Sequence, residues 1–213
     1  IPNDVPPALV FNPTPYRVWD REKTSVPVWR KARKVKRPSD LEDVAFWPVR
    51  DLAELLRTKQ VTSTELTQMY LARLKRHDAT LLCVVSFTEE RALASAKRAD
   101  EEIAKGKYRG LLHGIPYGAK DLLAVREAKT TWGSVPYREQ TIDDTATVVQ
   151  RLDDAGAVLI AKLTLGELAW GDVWFGGMTR NPWNLEEGSS GSSAGSASAT
   201  AAGCVAFAIG TET

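Results

Sequence analysis

Between Glu186 and Gly203 the chain reads EEGSSGSSAGSASATAAG, where nearly every side chain is a hydrogen, a methyl or a small hydroxyl group. Gly/Ser runs are the usual flexible connectors, yet small residues are also what a backbone needs to approach a reacting group closely. The flanks separate these readings. Ala197, Ala199, Ala201, Ala202 and Cys204 follow the serines and lead directly into the strand-like VAFAIG, whereas a linker would stay polar throughout. The second half of the run is therefore predicted to be a tightly packed helix. The first half, Gly188 to Ser193, becomes a loop that brings hydroxyls and backbone amides to a helix N-terminus, where unpaired N–H groups favour an anion or oxyanion.

The preceding residues alternate helix and strand. Leu52, Leu55 and Leu56 share one helical face, and Leu66, Met69, Tyr70 and Leu74 share another, with Thr62 and Glu65 as a capping box. LCVVSF reads as a buried strand, followed by an Ala-rich helix closed by Gly106. GIPYGAKDLLAV contains a short strand, and TATVVQRLDDAGAVLIAKL gives a helix, a stop at Gly156 and a parallel-type strand. LTLGELAW suggests another short helix, and NPWN a turn. The expected class is α/β. Residues 1–47 are expected to form an extended arm, Pro-rich and basic through the run Trp29 to Arg37, ahead of the α/β part at residues 48–213. The basic run is either a solvated cluster or a patch that pairs with a neighbouring protomer, and carries no assigned chemistry.

A composition of 43% hydrophobic and 26% charged residues suits a globular domain, and a net charge of +1 gives no reason to expect nucleic acid or an anionic membrane as partner. No apolar segment reaches the roughly 20 residues of a membrane span. A start at Ile1 fits a processed or trimmed chain. Cys83 and Cys204 lie in apolar stretches and are expected to be buried free thiols, which favours the cytoplasm, although an export signal already removed would leave no trace. No metal or cofactor is expected.

A catalytic serine needs a base to take its proton. His77 and His113 are the two histidines, and both sit where a structural role is expected. Lys120 is the other candidate. To act near neutrality its pKa must fall by about 3 units, at a cost of about 4 kcal/mol, and burial among Ile115, Ala119 and Leu122 would impose such a shift. Asp121 would oppose it, except that consecutive strand residues point to opposite faces. Taken alone, Lys120 reads as a surface lysine or half of a salt bridge rather than as a base. Trp132, Trp170, Trp174 and Met178 either line an acyl pocket or pack in the core.

Taken together, GIPYGAKDLL, TTWGS, TATVVQRLDDAGAVLIAKLTLGELAW, NPWN, GSSAGSASATAAG and GTET resemble, in order and approximate spacing, the amidase signature family, from about Pro48 to Thr213. That resemblance implies a central mixed twisted sheet covered by helices on both faces. It also implies hydrolysis of a small-molecule amide to a carboxylate and ammonia or an amine, through a Ser-Ser-Lys triad and an acyl-enzyme. Matched to the motif, Lys120 is the base and Ser192 the relay serine held by a cis peptide bond. Gly191, Ser193 and Gly195 are the supporting loop, and the Thr213 N–H belongs to the oxyanion hole. The attacking serine is expected three positions beyond Thr213, outside these residues, so this stretch alone is expected to be inactive. Ala194, Ser198, Thr200 and Glu212 depart from the usual family residues.

Two other activities stay open. The same motifs resemble the A-type component of the glutamine-dependent tRNA amidotransferase. GSSAG also fits G-x-S-x-G, which would make Ser193 the nucleophile of an α/β-hydrolase esterase. That elbow needs a strand immediately before it, and NPWNLEEGS reads as a turn. A phosphate-binding loop is disfavoured because no G-K-[ST] follows the glycines. Association into a homo-oligomer would use the N-terminal arm.

Overall fold

A computed structural model describes residues 33–212. Four strands make the central sheet: β1 (Val84–Phe87), β2 (Pro116–Lys120), β3 (Val158–Leu163) and β8 (Phe207–Ile209), in the order β1-β3-β2-β8. β2 runs parallel to β3 and β8, while β1 is antiparallel to β3, so the sheet is mixed, as expected. Every residue of β2 and β3 is buried. Continuous apolar sequence with no alternation is the pattern of strands covered on both faces.

The cover on one face comes from α1 (Val49–Arg57), α2 (Ser63–Leu81), α3 (Glu89–Ala104) and α5 (Ala194–Ala201). Leu52, Leu66, Tyr70, Leu74 and Ala199 meet Val158, Ile160 and Leu163 there. On the other face α4 (Thr147–Asp154) packs Val149 and Leu152 against Tyr117, Ala119 and Leu159. The predicted Thr62–Glu65 capping box starts α2, and Gly106 and Gly156 take positive φ after α3 and α4. Cys83 and Cys204 are buried free thiols.

Packed structure begins before the helical pattern at Pro48. Asp40 caps a 3-10 turn, Leu41–Val44, whose Val44 is fully buried, with Val35, Leu41 and Trp47 packed on the same core. Arg33 and Arg37 of the basic run pair with Asp51 at 3.0 Å and Glu65 at 2.8 Å. Residues 1–32 of the expected arm lie outside the described residues. Among the described residues no helix is long and apolar enough to cross a membrane.

The Ala-rich second half of the small-residue run is the predicted helix, α5. Its neighbours leave little room: a Cβ at Gly195 would overlap Cys83 O and Thr164 N. Ser198, one of the departures from the family pattern, donates to Arg180 O at 2.8 Å, and Ser196 donates to Ile209 O at 2.8 Å. Arg73 closes the other end, donating to Ala202 O and Gly203 O at 3.0 and 2.9 Å, where a cation complements the helix dipole. Contrary to expectation, NPWNLEEGS is not turn throughout, because Asn184–Gly188 forms β7, paired with β6 (Arg180–Asn181) in a hairpin of their own. The ladder to Arg180 and Asn181 straightens residues whose composition favours turns.

Candidate active site

Lys120 is the last residue of β2, at the carboxyl end of the parallel strands, where open α/β sheets place their ligand sites. Its side chain is fully buried, with Nζ 2.8 Å from Ser192 Oγ and 2.7 Å from Thr211 Oγ1. Burial pushes the Lys120 pKa down, opposed by the carboxylate of Glu212. Asp121, the neighbour whose charge would oppose that shift from the same face, points to the opposite face and lies 2.7 Å from Lys162 Nζ. The pleat separates the two groups as expected.

Ser192 is delivered by the predicted loop. The Ser189 amide donates to Thr179 O at 2.9 Å, and the Ser190 amide to Asp172 Oδ2 at 2.9 Å, with Ser190 at φ +62°. The Gly191–Ser192 peptide is cis. A Cβ on Gly191 would overlap Gly171 O, so the loop reaches this position only with glycine there. The Gly166 amide donates to Ser192 O at 3.3 Å. Ser193 accepts from the Thr211 amide at 3.0 Å and donates to Thr211 O at 3.1 Å, tying the loop to the end of β8. Thr213 lies outside the described residues.

The aromatic candidates divide. Trp132 is half-buried, edge-on to Tyr137 with ring centroids 4.9 Å apart. Trp174 is half-buried against Phe175, in β4 (Val173–Trp174), and Met178 lies in its partner β5 (Gly177–Met178). Trp170 is 86% exposed and directly precedes Gly171, whose carbonyl abuts Gly191. His113 is buried, its Nδ1 accepting from the Arg109 amide and its Nε2 facing Glu102, a structural arrangement outside the site. An open cleft of about 990 Å³ beside Ser86–Arg91 contains none of the candidate residues.

Reading the sequence missed Thr211, Lys162 and Asp172. Thr211 carried a signal, since it follows the strand-like VAFAIG within GTET. Lys162 carried a stronger one: a lone cation in the apolar strand VLIAKL requires a buried partner. Asp172 carried none.

A family model described as Amidase matches residues 65–213. The chain belongs to the amidase family. It is 43% identical over 169 residues to the A-type component of the glutamyl-tRNA(Gln) amidotransferase of Coxiella burnetii, covering 78% of this chain and 35% of that protein. It is 39% identical over 175 residues to the Mycobacterium tuberculosis protein named amidase AmiD, covering 82% and 37%. Among solved amidases, the peptide amidase from Stenotrophomonas maltophilia superimposes with a TM-score of 0.75 at 38% identity, over 80% of this chain and 37% of that one. The chain thus spans little more than a third of the length of these amidase relatives.

Proposed function

We propose that Lys120 and Ser192 are the base and relay of an amidase site that hydrolyses a carbon–nitrogen amide bond by way of an acyl-enzyme. The observation carrying this reading is a buried lysine whose hydrogen bonds go to the Ser192 and Thr211 hydroxyls, with its adjacent carboxylate turned away. An amine in that setting is poised to be uncharged, as a general base must be. Neutral Lys120 takes the Ser192 proton, Ser192 takes the proton of the attacking serine, and that oxygen bonds to the carbonyl carbon while the carbonyl π pair moves to oxygen. Collapse of the tetrahedral adduct breaks the C–N bond, and the proton returns through the same relay to the departing nitrogen. Water then repeats the sequence on the ester and releases the carboxylate.

The attacking serine is expected three positions past Thr213, and the Thr213 amide is assigned to the oxyanion hole. Ser193 is left out of this chemistry because both backbone groups of Thr211 engage its hydroxyl. Its reading as an esterase nucleophile also lacks support, since a hairpin strand outside the central sheet precedes the loop. Trp170 and Trp132 are assigned to the substrate side of the loop, where aromatic surface suits an apolar acyl group. The 43% identity to an amidotransferase component favours a second reading, in which the amide is glutamine and ammonia passes to a partner protein.

Ammonia release from aliphatic, aromatic and peptide amides and from glutamine, by the intact protein carrying these residues, tests both. Lys120→Ala and Ser192→Ala should each lower kcat/KM by about 1000-fold or more. Wild-type turnover in both variants would remove this mechanism, and release from glutamine alone would select the amidotransferase reading.

A further inference from the structure

On the face of the sheet opposite Lys120 lies a buried ion pair that the proposed mechanism does not use. Lys162 and Asp121 are both fully buried and 2.7 Å apart, and Lys162 also donates to Lys129 O at 2.9 Å and Thr130 Oγ1 at 3.1 Å. The second Asp121 oxygen accepts the Thr131 amide at 2.8 Å and the Thr131 hydroxyl at 2.5 Å. From there a line of contacts returns to the serine loop. Thr131 Oγ1 accepts the Gly133 amide at 3.2 Å, within a turn in which Trp132 and Gly133 take φ of +53° and +70°. That turn holds the next one: Trp132 O accepts the Leu168 amide at 2.8 Å, and Ser134 Oγ donates to Glu167 at 2.7 Å. The second turn holds Ser192, through the Gly166 amide on Ser192 O and the Gly171 carbonyl against Gly191.

We propose that Asp121, clamped by Lys162, is a positioning residue that sets the Lys120–Ser192 separation through the Thr131–Ser134 turn. One end of the device is covalent, because Asp121 is joined by a peptide bond to Lys120. The other end is the chain of hydrogen bonds to Ser192. A carboxylate suits the post because it accepts both Thr131 donors at one oxygen while the other stays with Lys162. The inference rests on reading Lys120 and Ser192 as base and relay.

The experiment compares Asp121→Ala with Asp121→Asn in the intact protein. Both variants deprive Lys162 of its carboxylate, but asparagine retains an oxygen to accept from Thr131. Asp121→Ala should lower kcat by about 10- to 100-fold, the scale of a small misplacement of reacting groups, with KM changed by less than about threefold. Asp121→Asn should recover most of that kcat. A role confined to stability would move the melting temperature of both and leave kcat below the transition unchanged, which would overturn the proposal. Thr131→Val, nearly isosteric, serves if Asp121→Ala does not fold: a loss of kcat of about 10-fold is expected, and a wild-type kcat would overturn it. Lys120→Ala is assayed in parallel. Activity in that variant would defeat the reading of the base, whereas inactivity there beside wild-type kcat in the Asp121 and Thr131 variants would defeat the positioning role alone.

Discussion

Two lysines are buried on neighbouring strands, and they are opposites. Lys162, within β3, has a carboxylate at 2.7 Å, a carbonyl and a hydroxyl around its ammonium. Lys120, at the end of β2, has two hydroxyls at 2.8 and 2.7 Å. Burial lowers the pKa of both, but at Lys162 Asp121 opposes the shift by charge and by hydrogen bond, while at Lys120 the charge of Glu212 opposes it. The register explains how one sheet holds both. Ala119 pairs with Lys162 and Lys120 with Leu163, so the two ammonium groups leave on opposite faces. Asp121, two residues from Ala119, shares the face of Lys162. Equal burial thus leaves a carboxylate beside Lys162 and two hydroxyls beside Lys120, because the pleat assigns Asp121 to one of them.

The contrast is sharpest in stability. Replacing Lys162 by methionine strands a buried carboxylate and should cost about 3–5 kcal/mol, read as a lowered midpoint in chemical denaturation. Adding Asp121→Asn to Lys162→Met removes the stranded charge and should recover a large part of that loss, a coupling measured by the double-mutant cycle. Full additivity of the two changes would break the picture of a tight pair.

Lys120→Met should produce the smallest change, opposite in sign. The folded-state pKa of Lys120 lies below its ordinary 10.5, so between those values the unfolded chain binds more protons and wild-type stability rises with pH. The cost of burying Lys120 is therefore fully present below the folded pKa and vanishes as pH approaches 10.5. Lys120→Met should be more stable than wild type near pH 7 and lose that advantage in alkaline solution, in denaturation midpoints recorded across pH. A gain that does not vary with pH would assign the effect to packing alone.

What is legible in the sequence follows from local rules. The Thr62–Glu65 cap, the glycine stops and the largely apolar, fully buried strand β3 each depend on residues close in sequence, and each is present. The strand in NPWNLEEGS is hidden because pairing with β6 depends on a partner whose two residues show no period. Lys162 is hard to interpret because a buried charge has meaning only with its partner, and that partner, Asp121, is 41 positions away. Asp172, whose carboxylate holds the Ser190 amide, is a surface-type residue until the loop folds back on it.

The residues alone determined that the small-residue run ends in a helix, that β2 and β3 are buried on both faces, and that Lys120 and Asp121 part company, because side-chain volume and the two-residue period of a strand act locally. Only the tertiary structure decided which hydroxyls meet the buried amine and which cation claims the carboxylate. Those contacts close loops of 72, 91 and 41 residues, and it is the packing of the whole sheet and its helices that meets the entropy of closing them.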